Sequence, residues 1–316
     1  METVWHLDLC GSPPRLKQWF LRTAPPRSFA LDGWLTSRPF VNVEKRVANI
    51  DHHKGVDRII TRCTAAQFAL SLRLGRYSRF FDGEGPVHSF FESIDPDVIF
   101  TLWIMENWHR VMTRLEWRFE NLLRFLDLVD STAATYPFPI DQELCEFQWV
   151  FDPYFNALAR QELDHKNIDV YHGVVFECFE RIERYLVGAG GRASIDQSYD
   201  VLEDHQRWGI FRAHGSLSRM KIVADGYFAF VLVRKRADGN LAMTLQRTCP
   251  EIDWFPINRM YKPLNLVENR HAQWGGNGIV GGSPVPDGTW QSVARASETV
   301  QAIIATSGKN NPLRLK

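Results

Sequence analysis

Asn49-Ile50-Asp51-His52-His53 is the densest set of reactive side chains in the chain. A carboxylate followed by two imidazoles, at the end of a short apolar run, puts three metal-ligand types within three residues. Carboxylates with neutral imidazoles suit manganese and related divalent cations, and paired cations need bridging carboxylates between them. The same three residues also make an ordinary solvated loop, so the tripeptide is not decisive alone. Two further segments share its layout. Ala30-Leu31-Asp32-Gly33 ends an apolar run in Asp32, and Val4-Trp5-His6-Leu7-Asp8 ends one in an HxD. For each of these separately, a capping carboxylate or a satisfied histidine is the bland reading. Three successive runs ending alike is the less ordinary observation.

Short buried runs that each end in a carboxylate are read as parallel strands whose C-terminal ends share a crevice. The strands are Val4–Leu9, Ser28–Leu31 and Val47–Ile50, with a turn at 11–14. Thr64–Leu72 reads as a helix. From Asp97 to about Leu126, Trp108, Met112, Leu115, Phe119, Leu122 and Leu126 recur at helical spacing. A second helical region covers about 142–186, with Val175, Cys178, Phe179, Ile182 and Leu186 on one face. Residues 187–198 (VGAGGRASIDQS) are a linker. Beyond it the period becomes two. Met220–Val223, Tyr227–Arg234 and Leu241–Leu245 are expected as strands, with turns at Asp225-Gly226 and 237–240. Residues 274–289 are rich in glycine, and a last helix is expected near 292–305. The fold class is therefore α/β: a parallel-sheet domain over 1–135, a helical connector over 136–190, and a smaller α+β domain over 191–316.

On these residues the chain resembles the DHH phosphoesterase superfamily, which includes RecJ-type nucleases, oligoribonucleases and cyclic-dinucleotide phosphodiesterases. His6-Leu7-Asp8-Leu9-Cys10-Gly11 is similar to the first motif, Asp32 to the bridging Asp of the second, and Asp51-His52-His53 to the third. The fourth motif is one Asp, and Asp127 and Asp130 are both candidates. Cys10 stands where the first motif has its second Asp, and a thiolate is a poor ligand for a hard cation. Ser93-Ile94-Asp95-Pro96-Asp97 supplies a second DxD ahead of a helix. It fits either a rearranged first motif or a helix N-cap with Pro at N1.

The resemblance implies a centre of two Mn2+ ions, with Mg2+ as the alternative cation, held by His6, Asp8, Asp32, Asp51, His52, Asp127 or Asp130, and Asp95 or Asp97. Asp51, His52 and His53 would be the catalytic residues. The implied activity is hydrolysis of a small phosphodiester, a short oligonucleotide or a cyclic dinucleotide, by a metal-activated water. The alternative, motivated by Cys10, is a decayed scaffold that binds a nucleotide or phosphate as a sensor or assembly module. A weaker likeness to the family's glycine loop points to Gly275, Gly276, Gly281, Gly282 and Ser283 for substrate binding. Arg270, Arg212 and His214 are basic helpers there, and His271 is the nearest histidine. Trp208, Trp274 and Trp290 could stack on a base, although core packing is the plainer reading.

Composition limits the partners. The 316 residues carry 37 basic and 37 acidic side chains, and no basic domain of the kind that coats long duplex nucleic acid. A small phosphorylated or nucleotide substrate suits this balance better. Five scattered cysteines without a CxxC pair are expected as reduced thiols of a cytoplasmic protein. There is no signal-peptide pattern, and no apolar run reaches the ~18 residues of a membrane span. The aromatic-rich helices offer a surface for a homodimer. GxSxG, GxxxxGK[ST] and HExxH are all missing from the sequence.

Overall fold

The computed structural model describes residues 3–8, 15–114, 116–165 (backbone alone at 164–165), 167–215, 217–236, 238–268, 273–285 and 287–307. Eleven strands and eleven α-helices lie among them. The chain forms two compact units, Met1–Ser131 with Ile140–Ala193, and Thr132–Pro139 with Ser194–Lys316.

The first unit runs β1 (Thr3–Leu7), α1 (Lys17–Thr23), β2 (Ser28–Leu31), β3 (Phe40–Asn42), β4 (Val47–Ile50), α2 (Thr64–Arg73), α3 (Ser78–Phe81), β5 (Val87–Phe91), α4 (Pro96–Glu106), α5 (Trp108–Thr113), α6 (Trp117–Ser131), α7 (Gln142–Ala159) and α8 (Ile168–Leu186). Its sheet has the order β1-β5-β2-β4-β3. The first four of these strands are parallel, and β3 runs antiparallel along β4. Every residue of β2 and β4 is buried, as expected of inner parallel strands covered on both faces. Their register pairs Leu31 with Ile50, so Asp32 and Asp51 leave the sheet side by side.

β5 is absent from the sequence reading, and it changes the neighbours. It lies between β1 and β2, so the segment that follows β5, not the one that follows β1, emerges beside Asp32. The expected long helix from Asp97 is three helices, α4 to α6, broken near Asn107 and Arg114. α4 is buried almost all round, which a helix of sequence PDVIFTLWIME requires. The expected connector helices α7 and α8 pack on each other and belong to the first unit.

The second unit holds β6 (Tyr199–Asp204), β7 (Gly209–Ala213), α9 (Ser218–Ala224), β8 (Ala229–Lys235), β9 (Leu241–Arg247), α10 (Ile257–Leu266), β10 (Gly275–Gly276), β11 (Val280–Gly282) and α11 (Val293–Ser307). The sheet order is β10-β11-β9-β8-β7-β6, with β7 and β8 parallel and the other pairs antiparallel. Met220–Val223, expected as a strand, is helical. Parallel neighbours need a crossover, and α9 is the crossover from β7 to β8. Asp225-Gly226 accordingly ends a helix and does not turn a hairpin. Along β8, Phe230 and Leu232 meet Ile222 of α9, while Val231 and Val233 meet the α10 and α11 core of Met260, Leu264 and Val300. No helix among the described residues is long and apolar enough to cross a membrane.

Candidate metal centre

Four elements of the first unit deliver side chains to one place. Asp32 follows β2. Its N–H extends the ladder to Ile50 O at 2.9 Å, and its φ of +48° turns the chain off the strand. A non-glycine residue in that region costs about 1–3 kcal/mol and is typical of functional sites. After β4, Asp51 is fully buried and accepts from the backbone N–H of His53 (2.8 Å) and Lys54 (3.1 Å). This Asx turn fixes the loop that carries the two histidines. His52 is fully buried, with Nε2 2.7 Å from Asp130 Oδ2 and 3.2 Å from Asp32 Oδ1. His53 Nε2 lies 2.7 Å from the same Asp32 oxygen. Asp97 comes from the first turn of α4, and Asp130 from the last turn of α6.

Asp97 has a second task. The N-terminus of α2 has no side-chain cap and no acidic residue in its first turn. Its orphan donors are met from other elements. Thr64 and Ala65 N–H donate to the two oxygens of Asp97, each at 2.7 Å, and Cys63 N–H donates to Asp127 at 2.7 Å. These bonds satisfy the helix end and bring two carboxylates to its positive pole.

Ligand atoms of Asp32, His52, Asp97 and Asp130 all lie within 4.8 Å of one another, as do those of Asp32, His52 and His53. The charges are strongly coupled. Burial would push Asp32 up, but hydrogen bonds and charge from His52 and His53 hold it well below the carboxylate range. Burial would pull His52 down, but Asp130 first and Asp32 second raise it to about 11. Burial and the charges of Asp130 and Asp32 push Asp97 up to about 7. Despite their 2.7 Å approach, His52 Nε2 and Asp130 Oδ2 are buried and not aligned as a hydrogen bond, and His52 Nδ1 is also buried without a partner. The contact is therefore a close charge pair that falls short of hydrogen-bond alignment, in a group of side chains that could hold a metal ion.

The other sequence candidates lie elsewhere. His6 on the edge strand β1 bonds His88 Nδ1 at 2.9 Å and stacks on Phe90, and Asp8 pairs with Arg15. With β5 between β1 and β2, neither joins the cluster. Cys10 falls outside the described residues. Asp95 is the N-cap of α4, accepting from Val98 N–H at 2.9 Å, with Pro96 at N1. Asp127 serves the α2 terminus, so of the two fourth-motif candidates Asp130 is the one in the cluster.

The glycine-rich segment forms the β10-β11 hairpin. A Cβ on Gly281 would overlap the Tyr261 hydroxyl, and Gly276 has φ +145°. Ser283 Oγ accepts from Met243 N–H at 3.0 Å, as part of the strand pairing. Arg270 and His271 fall outside the described residues. Arg212 and His214 approach Asp200, at 3.6 and 3.1 Å. Trp208 and Trp274 are core residues, whereas Trp290 is exposed. Sequence reasoning missed Arg58, which contacts both His53 and Asp130. Its one sequence signal is a basic residue in the loop after the histidines.

No family model matches the chain, and no curated protein matches it. Among solved structures, an uncharacterized protein from Helicobacter pylori G27 is similar over 89% of this chain and 99% of that one, at 10% identity and a TM-score of 0.20. A likeness at that score carries no inference about fold or activity.

Proposed function

We propose that the first unit binds one divalent cation, Mn2+ or Mg2+, at Asp32, His52, Asp97 and Asp130, and hydrolyses a small phosphodiester there. The observation that carries the reading is the convergence of those four side chains from four separate elements, with buried polar atoms left unaligned among them. Three carboxylates and an imidazole are a hard donor set, and the imidazole favours Mn2+ over Mg2+. Asp97 keeps acceptor capacity beyond its two backbone bonds, since a carboxylate offers about four lone-pair sites. A cation would also relieve the mutual repulsion that pushes Asp97 up. The position, outside the C-terminal ends of parallel strands, is where ligands of open α/β sheets bind. In DHH terms this is a rearranged core, in which the DxD after β5 stands in for the first motif.

The cation would supply an acidified water and a polarised phosphoryl oxygen. The chain's own residues would do the rest. Asp51 holds the turn, and the partly exposed His53 ring offers an N–H to a phosphoryl or leaving-group oxygen. A short oligonucleotide or cyclic dinucleotide fits the neutral charge balance. The alternative is a nucleotide- or phosphate-binding sensor on the same scaffold. What favours it is that both Asp97 oxygens are already engaged by α2. Metal-stripped protein reloaded with Mn2+ and offered bis(p-nitrophenyl) phosphate, linear dinucleotides and cyclic dinucleotides separates the two. Turnover that is lost in Asp130→Asn supports the enzyme. Mn2+ and dinucleotide binding without turnover supports the sensor.

A further inference from the structure

Arg58 reaches two cluster-bearing elements with one guanidinium. Nη2 donates to Asp130 Oδ1 at 2.7 Å and to Asp130 O at 2.9 Å, and Nε donates to the same carbonyl at 3.2 Å. Nη1 lies 3.0 Å from His53 Nδ1. The side chain is largely buried, with 13% of its surface exposed. A guanidinium has donors only and does not deprotonate in proteins. The Arg58–His53 bond therefore exists only if His53 Nδ1 accepts. A neutral imidazole has one lone-pair nitrogen, so the proton of His53 must sit on Nε2. There it faces Asp32 Oδ1 at 2.7 Å, a donor meeting a carboxylate.

We propose that Arg58 is a positioning residue that fixes His53 as the Nε2–H tautomer and keeps it out of the metal shell. The logic is exclusion. A metal ligand must present a lone pair, and Arg58 occupies the only one His53 has. Of the two overlapping groups, the one with Asp97 and Asp130 is then the metal site, and the one with His53 is not. His53 instead donates to a metal-ligating carboxylate, the outer-layer role that orients a ligand. Its N–H can reach a substrate oxygen only by giving up the bond to Asp32. Through Asp130, the same guanidinium sets the distance between the α6 carboxylate and the histidine loop. The loop's own Asx turn holds the His53 backbone from the other side.

This inference rests on the metal-centre reading, and its test separates the two. Histidine-selective 15N labelling, with His53→Ala to assign the ring among the ten histidines, reports the tautomer in metal-free protein at a pH where the ring is neutral. The expected result is protonated Nε2 and bare Nδ1 in wild type. In Arg58→Met the Nδ1–H form becomes populated, and in Arg58→Lys, which keeps a donor, the wild-type form persists. Electron spin echo spectra of bound Mn2+ are expected to show one coordinated histidine nitrogen, lost in His52→Ala and kept in His53→Ala. Melting temperatures check that each variant folds. If Arg58→Met does not, the wild-type ring spectrum and the nitrogen count decide without it. A wild-type Nδ1–H tautomer, two histidine nitrogens on Mn2+, or an Arg58→Met ring identical to wild type would overturn the assignment of Arg58 while leaving the metal centre intact. No Mn2+ binding at all would overturn the metal centre, and with it the exclusion of His53 from a metal shell; the ring spectrum would still decide the tautomer.

Discussion

In the first unit, Asp32, His52, Asp97 and Asp130 bring ligand atoms within 4.8 Å, and several of those atoms are buried without an aligned hydrogen bond. In the second unit, the glycine segment has a suggestive sequence but a different fate. Gly281 makes room for Tyr261, Ser283 bonds the backbone of β9, and Trp274 packs in the core while its Nε1 donates to Glu268 at 3.1 Å. Residue types alone would have ranked these regions alike. Convergence distinguishes them. The second unit also buries Gln246 Oε1 and Gln291 Oε1 without a partner, but no metal-ligand group gathers there among the described residues. Where ligand-type atoms converge from four elements, the residues could hold a metal ion.

The largest expected effect is at the cluster. Asp32→Asn removes a charge that faces both histidines, and Mn2+ affinity should fall roughly 100-fold or more, since even outer-layer changes cost 10–100-fold. Isothermal titration of metal-stripped protein reads this directly. Affinity within a few-fold of wild type would put the cluster in the same class as the hairpin.

The hairpin makes the converse prediction. Gly281→Ala should destabilise by about 1–3 kcal/mol through overpacking against Tyr261, with Mn2+ affinity unchanged. Tyr261→Phe in the same background should recover part of the loss, because it removes the overlapping hydroxyl. Denaturant melts and the Mn2+ titration together test it. A stable Gly281→Ala protein that loses dinucleotide binding would make the hairpin a site after all.

Protons should compete with the cation. In metal-free protein His52 is raised from 6.5 to about 11, chiefly by Asp130 once burial is overcome. The folded form therefore binds this proton more tightly than the unfolded chain does. Its stabilisation is complete below about pH 6.5 and is lost as the pH rises towards 11. Mn2+ must displace the same proton, so its affinity should rise by up to about tenfold per pH unit across that range. Melting temperatures of metal-free protein should fall on the alkaline side while those of Mn2+-loaded protein hold. Parallel pH profiles for the two forms would contradict this.

The smallest effect sharpens the boundary within the site. Asp51→Asn leaves one acceptor oxygen where two backbone N–H groups need one each, and should cost about 1–2 kcal/mol of stability. Its Mn2+ affinity should drop less than that of Asp32→Asn. Equal losses would make Asp51 a ligand and not a turn residue.

The strand ends at Asp32 and Asp51-His52-His53 were legible because they are local: an apolar run, then a ligand type. Helices α2 and α11 were legible for the same reason. β5 was not. Val87-His88-Ser89-Phe90-Phe91 puts polar Ser89 on its buried face and apolar Phe90 on its half-buried face, so it lacks the apolar alternation that marks a strand. Missing it left β1 as the apparent neighbour of β2, and so left His6 and Asp8 level with Asp97 as candidates. Which carboxylates meet is decided by strand order, a long-range property that no window of sequence contains. Arg58 was invisible for another reason. Its importance lies in its bonds to two residues, 5 and 72 positions away, and a lone Arg in a loop announces neither.

The most direct test is the stoichiometry of Mn2+ on metal-stripped protein, wild type beside Asp130→Asn. The expected result is one tight ion per chain in wild type and none in the variant, which still folds but melts lower than wild type without metal, because it loses its charge pairs with His52 and Arg58. No tight ion in wild type, or one that Asp130→Asn retains, would contradict the account and leave the convergence of Asp32, His52, Asp97 and Asp130 without a ligand.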